Sequence, residues 1–180
     1  MHQVNTIGNL KILNSRETKH IVERITEQYG CSDEFAKAIS GYVFLTNKDN
    51  RIYIVSRSIE LIPYDEMKID GLGMYFGELY KESMRFTIEG CQFVGKFATK
   101  NLVEFTKDQI SDWAKGSDIA VEDSQIEGNT FEDNNDFLIV KNTRIVGDNK
   151  ETDYYGSGKF KDGKIMNFVS KSRKLVTVNE

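Results

Sequence analysis

Residues 158–164, GKFKDGK, meet the spacing G-x-x-x-x-G-K of a phosphate-binding loop, in which backbone amides and one lysine hold a nucleotide's phosphates. That chemistry needs a Ser or Thr after the lysine to reach Mg²⁺, and a helix whose first amides face the phosphate. Here Ile165 follows Lys164, and the continuation IMNFVS is branched, aromatic and short, as in a strand. Asp162-Gly163 between two strand-like runs signals a two-residue type I′ turn. The match therefore reads as a lysine-rich hairpin rather than an ATP or GTP site. Cys31 and Cys91 have no CxxC neighbour, and His2 and His20 lie apart from both, whereas a structural zinc site wants four closely spaced ligands. Both cysteines read as small buried hydrophobes, unpaired in a reducing compartment.

The turn fixes a register: Lys161 with Lys164, Phe160 with Ile165, Lys159 with Met166, Gly158 with Asn167 and Ser157 with Phe168. Alternation places Phe160, Ile165 and Val169, with Gly156 and Gly158, on an inner face. The outer face takes Tyr155, Ser157, Lys159, Lys161, Lys164, Met166 and Phe168. Like charges facing across a strand pair cost roughly 0.2–1 kcal/mol, so Lys161 opposite Lys164 suits a tip that is wet or meets an anion. Two readings stand side by side. In one, the lysines keep an edge soluble while Met166 and Phe168 are covered by the C-terminal LVTV or by the helix after Thr106. In the other, the face binds single-stranded RNA, charge neutralising phosphate and rings stacking on bases.

The net charge of −4 argues against indiscriminate nucleic-acid binding, because a uniformly acidic field repels phosphate. The average conceals a split. Between Ser117 and Val140 lie Asp118, Glu122, Asp123, Glu127, Glu132, Asp133 and Asp136 with no Lys or Arg. Between Gly156 and Lys174 lie Lys159, Lys161, Lys164, Lys171, Arg173 and Lys174 against Asp162 alone. Such a pattern is either two solvated surfaces that attract each other or a focused anion site on an acidic carrier. No apolar run approaches the length of a membrane span and MHQVNTIGNLKILNS lacks a signal-type core, so a cytoplasmic location away from membranes is expected.

The elements that must position these residues are readable in outline. Ser15 is the expected N-cap of a first helix carrying Ile21, Val22, Ile25 and Tyr29 on one stripe and closed by Gly30. Ser32 opens a shorter helix, DEFAKAI. GYVFLT and RIYIVS then form a hairpin around residues 47–50, and MYFGELY and MRFTIEG read as further strands, the last with Met84, Phe86 and Ile88 on one side. After NLVEF, Thr106 and Gln109 make a capping box for a helix with Ile110, Trp113 and Ala114 inward, ending at Gly116. DIAV, FLIV, YYGSGKF, KIMNFV and LVTV follow as strands, with residues 127–136 and 147–153 as turns or loops. The fold class is α+β: an N-terminal α+β domain with an antiparallel sheet (1–105), then a small β-barrel-like domain (106–180).

The helix ending at Asp112–Gly116, the FLIV strand at 137–140 and YYGSGKFKDGKIMNFVSKSRKL at 154–175 together resemble a PUA domain. The nearest resemblance is to the PUA-like module attached to RNA 5-methylcytosine methyltransferases of the Nop/Sun family and to small stand-alone archaeal relatives. Residues 50–56 and 73–90 resemble the leading domain of two-domain ribosome-biogenesis PUA proteins. The resemblance implies a PUA-like barrel that binds RNA in the groove between its first helix, the glycine turn after it and the facing strand. It nominates Lys115, Gly116 and Ser117 at the helix end and Lys159 on the strand. Charge adds Lys171, Arg173 and Lys174 as phosphate contacts, and the outer hairpin face adds Tyr155, Lys161 and Lys164. The methyltransferases themselves need a large α/β domain for S-adenosylmethionine and proline-flanked cysteines, whereas the cysteines here read GCSD and GCQF. The expectation is thus a non-catalytic, cofactor-free RNA-binding protein acting on rRNA or tRNA in ribosome biogenesis or RNA modification. Its expected protein partners are a separate RNA methyltransferase or pre-ribosomal proteins. The alternative is an interaction adaptor in the same pathway that uses its acidic surface.

Overall fold

The computed structural model describes residues 6–63, 67, 71–81, 83–128 and 137–175. His2, the acidic residues 132–136 and the expected LVTV strand beyond Leu175 lie outside the described residues. The chain is a mixed α+β structure of two six-stranded sheets with four α-helices among the described residues. No helix among them is long and apolar enough to cross a membrane.

The first sheet is antiparallel throughout, in chain order β1 (Thr6–Ile7), β2 (Leu10–Ile12), β3 (Tyr42–Thr46), β4 (Arg51–Ser56), β5 (Met74–Tyr80) and β6 (Ser83–Phe86). Between β2 and β3 the chain forms α1 (Ser15–Tyr29) and α2 (Asp33–Ile39). The cap of α1 is Asn14 rather than Ser15. Asn14 Oδ1 accepts from the Arg16 and Glu17 amides at 3.0 Å, and Glu17 accepts from the Asn14 amide at 2.9 Å. This reciprocal pair satisfies amides the first turn leaves open, typically worth about 1 kcal/mol. Ile21, Ile25 and Tyr29 form the buried stripe and pack with Phe35, Phe44, Phe76 and Phe86.

The MRFTIEG run does not remain a strand. β6 stops at Phe86, and Thr87 caps a third helix, α3 (Ile88–Val94), its Oγ1 accepting from the Gly90 amide at 3.0 Å. The same hydroxyl donates to the Tyr75 carbonyl at 2.7 Å, which ties the turn to β5 and overrides the two-residue period that continues through Ile88. Gly90 lies flush on β5, where a Cβ would stand 2.1 Å from the Phe76 carbonyl oxygen.

The second sheet runs in the order β8–β12–β11–β10–β7–β9 and curls into a half-barrel. Its strands are β7 (Leu102–Glu104), β8 (Ile119–Ala120), β9 (Ile126–Glu127), β10 (Phe137–Val146), β11 (Asn149–Lys161) and β12 (Lys164–Asn167). Between β7 and β8 lies α4 (Lys107–Lys115), with the expected Thr106–Gln109 capping box and Gly116 closing it. β10 is parallel to β7 and its first four residues are buried on both faces, which is why FLIV is apolar without alternation. Ile139 joins the first core, whereas Leu138 and Val140 join a second core with Val103, Phe105, Trp113, Ile119 and Ile165. The stretch 147–153, expected as loop, is strand apart from its turn, because β10 and β11 stay paired out to Val146 and Asn149. Polar contacts hold that arm in place of an apolar pattern: Thr143 with Thr152 at 3.1 Å, and Arg144 with Glu151 at 3.3 Å and Asp153 at 3.1 Å.

The hairpin forms in the predicted register from Lys161–Lys164 through Gly158–Asn167, with Asp162 and Gly163 at φ +50° and +73°. Ile165 continues β12, so the phosphate-loop spacing belongs to a β-turn. The expected Ser157–Phe168 pair is absent because β12 ends at Asn167. A bulge also redistributes the faces of β11. Ile139 pairs with Ser157 but Lys141 pairs with Tyr154, so Tyr155 and Gly156 together oppose Val140, with Gly156 at φ +109°. Tyr155, expected on the outer face, therefore packs half-buried on the second core, and its carbonyl accepts the Trp113 indole N–H at 2.9 Å. Ser157 keeps the outer direction yet is buried, because that face lies against the first sheet; its hydroxyl donates to the Phe86 carbonyl at 2.8 Å.

Candidate functional site

The seam between the sheets opens into a cleft of about 680 Å³. Its first wall depends on a bulge in β5. Ile52 pairs with Gly77 but Tyr53 with Tyr75, so Phe76 is the extra residue and Glu78 is turned to the outer side. Arg51, Glu78 and Arg85 consequently form a row across β4, β5 and β6. Glu78 is ion-paired with Arg85, and Arg51, which makes no ion pair among the described residues, has its guanidinium 5.9 Å from the Tyr75 ring centre. Burial, followed by the Glu78 charge, raises the Tyr75 pKa above that of an ordinary tyrosine.

The second wall is the segment after β12. Phe168, Val169, Ser170, Ser172 and Arg173 line it, and Arg173 is ion-paired across the cleft with Glu89 of α3. Phe168 joins the walls, with the Arg85 guanidinium 5.3 Å from its ring centre and Phe137 edge-on at 5.7 Å. Phe137 in turn meets Tyr80 at 6.2 Å. Of this chain of rings, Tyr80 is 52% exposed and Phe168 44% exposed, while Phe137 is buried between them. The cleft is lined by three arginines and Glu89, with Glu78 ion-paired to Arg85 beside it, so a small positive excess remains, centred on Arg51, on a protein whose net charge is −4. Such an arrangement concentrates positive field where the average field is negative.

The nominated residues fall into four places. Lys159 stands opposite Phe137 and Met166 and is half-buried on the face of β11 that leads into the cleft, with Lys161 and Lys164 exposed at the hairpin tip beyond it. Arg173 lines the cleft, and Lys171 is exposed in the same short 3₁₀ turn. Lys115, Gly116 and Ser117 form a separate group at the end of α4, and the chain after β12 crosses it. The Asn167 side chain donates to the Trp113 and Ser117 carbonyls at 2.8 and 3.2 Å, and the Leu175 amide to the Ala114 carbonyl at 2.8 Å. Lys174 covers Gly116, so a Cβ there would lie 2.6 Å from Lys174 Nζ, and Lys115 pairs with Asp112 at 3.3 Å. Tyr155 faces the second core. The helix end thus carries Lys174, itself a nominated cation, over Gly116, while the wider basic opening is the seam.

Arg51, Tyr75, Tyr80, Arg85, Phe137 and Phe168 were not among the nominated residues. Their grouping depends on a bulge and on contact between sheets. The local signals are Phe168 on the outer hairpin face and Arg85 on the polar side of an alternating strand, opposite the Glu of MYFGELY.

Among the described residues no group of three or more His, Cys, Asp or Glu side chains is placed to hold a metal. Cys31 and Cys91 are unpaired and buried. Burial pushes the Cys31 pKa up to about 12 and that of Cys91 well above the usual thiol value. At pH 8 a disulfide reagent is expected to leave both thiols of the folded protein unmodified and to titrate both in denaturant. Rapid labelling of either in the native state would contradict this burial. The chain matches no protein-family model, and no curated protein is significantly similar to it in sequence.

Proposed function

We propose that the protein is a non-catalytic RNA-binding protein whose second half is PUA-like, and that single-stranded RNA lies along the seam between the sheets. The observation that carries this reading is the combination of three arginines with the exposed Phe168 ring and the half-buried Tyr75 ring in one open cleft, continued along β11 by Lys159 toward Lys161 and Lys164. Charge supplies sequence-independent affinity for phosphate, and rings and guanidinium planes supply stacking surfaces for unpaired bases. The curled second sheet and the following basic turn accord with the PUA-like pattern of residues 101–175. Its working context is then ribosomal or transfer RNA, during subunit assembly or beside a methyltransferase encoded separately.

The test is equilibrium binding of single-stranded and structured RNA across a salt series. The expected result is affinity for unpaired RNA that falls steeply with salt, with a slope of about −0.7 per phosphate neutralised. No binding to either RNA at low salt would sink the reading. The Lys164→Glu variant separates function from fold because its two effects have opposite signs. It puts a carboxylate across from Lys161, so stability is expected to hold or rise by a few tenths of a kcal/mol, roughly 0.2–1 at most. RNA affinity is expected to fall roughly three- to tenfold, in line with one lost phosphate contact.

A further inference from the structure

The cleft offers more than a charged track, and any base-binding role for it rests on the protein being an RNA binder. Arg51 and Arg173 are exposed on the cleft lining, and the Phe168 ring, with the Arg85 guanidinium 5.3 Å from its centre, presents a flat surface. Thr87 and Ser157 are already committed to the Tyr75 and Phe86 carbonyls, and the Ser170 and Ser172 hydroxyls bond each other at 2.8 Å. A cavity of about 680 Å³ falls within the roughly 300–1,000 Å³ that small-ligand sites occupy. A ligand suited to it is anionic at one end and flat at the other. Phosphate joined to a base meets both demands, and a base can enter only where it is unpaired and splayed from its neighbours.

We infer that the cleft receives a single unpaired nucleotide of the bound RNA, its base lodged against Phe168 and Arg85 and its phosphate met by Arg51 and Arg173. The pocket then sets register on the RNA, while Lys159, Lys161 and Lys164 hold neighbouring phosphates without reading them.

The experiment places 2-aminopurine at each position of a bound oligonucleotide in turn, using the full chain. One position is expected to change in fluorescence far more than its neighbours, and an abasic nucleotide at that position is expected to lower affinity about tenfold or more. Phe168→Leu is expected to remove the position-specific signal and to cost a similar factor on intact RNA. On the abasic RNA it is expected to cost almost nothing further, because both changes delete one contact. The abasic comparison uses the wild-type protein, so it decides the matter even if the variant folds poorly. Salt-dependent binding with uniform 2-aminopurine signals and no abasic penalty overturns the nucleotide pocket and leaves RNA binding standing. Absence of RNA binding overturns both.

Discussion

Exchanging Arg51 and Arg173 together for glutamate is expected to weaken RNA binding by about a hundredfold or more at moderate salt. Charge-assisted hydrogen bonds are worth about 1.5–3 kcal/mol each, and tenfold in affinity is about 1.4 kcal/mol, so losing two such contacts already reaches that range. The reversed charges add repulsion in a cleft where Glu89 would no longer be neutralised by Arg173. Because both arginines meet one phosphate, their loss flattens the salt dependence by about 0.7 in slope on single strands. The fold is expected to survive. Arg51 is exposed and outside any ion pair among the described residues, and the Arg173 side chain is 53% exposed, where a pair is worth at most about 1 kcal/mol. Equal RNA affinity in the variant and the wild type, with matching thermal midpoints, would move the binding surface off the seam. Loss of heparin binding with RNA affinity unchanged would make the seam a general polyanion patch rather than an RNA site.

The sequence was most legible where local chemistry alone decides geometry. Asp162-Gly163 fixes its hairpin because only residues tolerant of left-handed φ make that turn, and the pairings follow from it. Thr106, Gln109 and Gly116 mark both ends of α4 for the same reason. The failures share a different cause. Met84, Phe86 and Ile88 continue a strand period across Thr87, and the Thr87 cap tied to β5, with the fit of Gly90 against Phe76, makes a helix the better continuation. The arm between Lys141 and Asp153 has little apolar alternation because it extends past the core, so a strand there looks like loop. Bulges in β5 and β11 each add one residue to one strand and reverse the side-chain direction beyond it. They account for both discrepancies at the seam: Tyr155 is turned away from it, and Glu78, with Arg51 and Arg85 beside it, is turned toward it.

Trp113→Ala is expected to be the most destabilising single change near this site, at about 3–5 kcal/mol, the usual range for emptying a buried tryptophan position. The indole is 1% exposed, packs edge-to-face with Phe105 at 5.6 Å and reaches so close to β11 that a Cβ on Gly158 would stand 2.8 Å from it. At roughly 2–4 °C per kcal/mol for a chain of this size, the thermal midpoint is expected to drop by about 6–20 °C, read by circular dichroism since the only tryptophan is lost. A drop of under about 2 °C would mean that the half-barrel core does not depend on the indole. Trp113→Phe isolates the hydrogen bond from the volume. It keeps most of the ring packing but strands the Tyr155 carbonyl, at a cost of about 1–3 kcal/mol. That carbonyl lies in the bulge that directs Ser157 and Lys159 toward the first sheet, so loosening it also loosens the wall of the cleft. Trp113→Phe is therefore expected to remain folded at 25 °C and yet bind RNA several-fold more weakly. A phenylalanine variant that loses stability but keeps full affinity would show that the bulge needs no support from α4 to aim the seam.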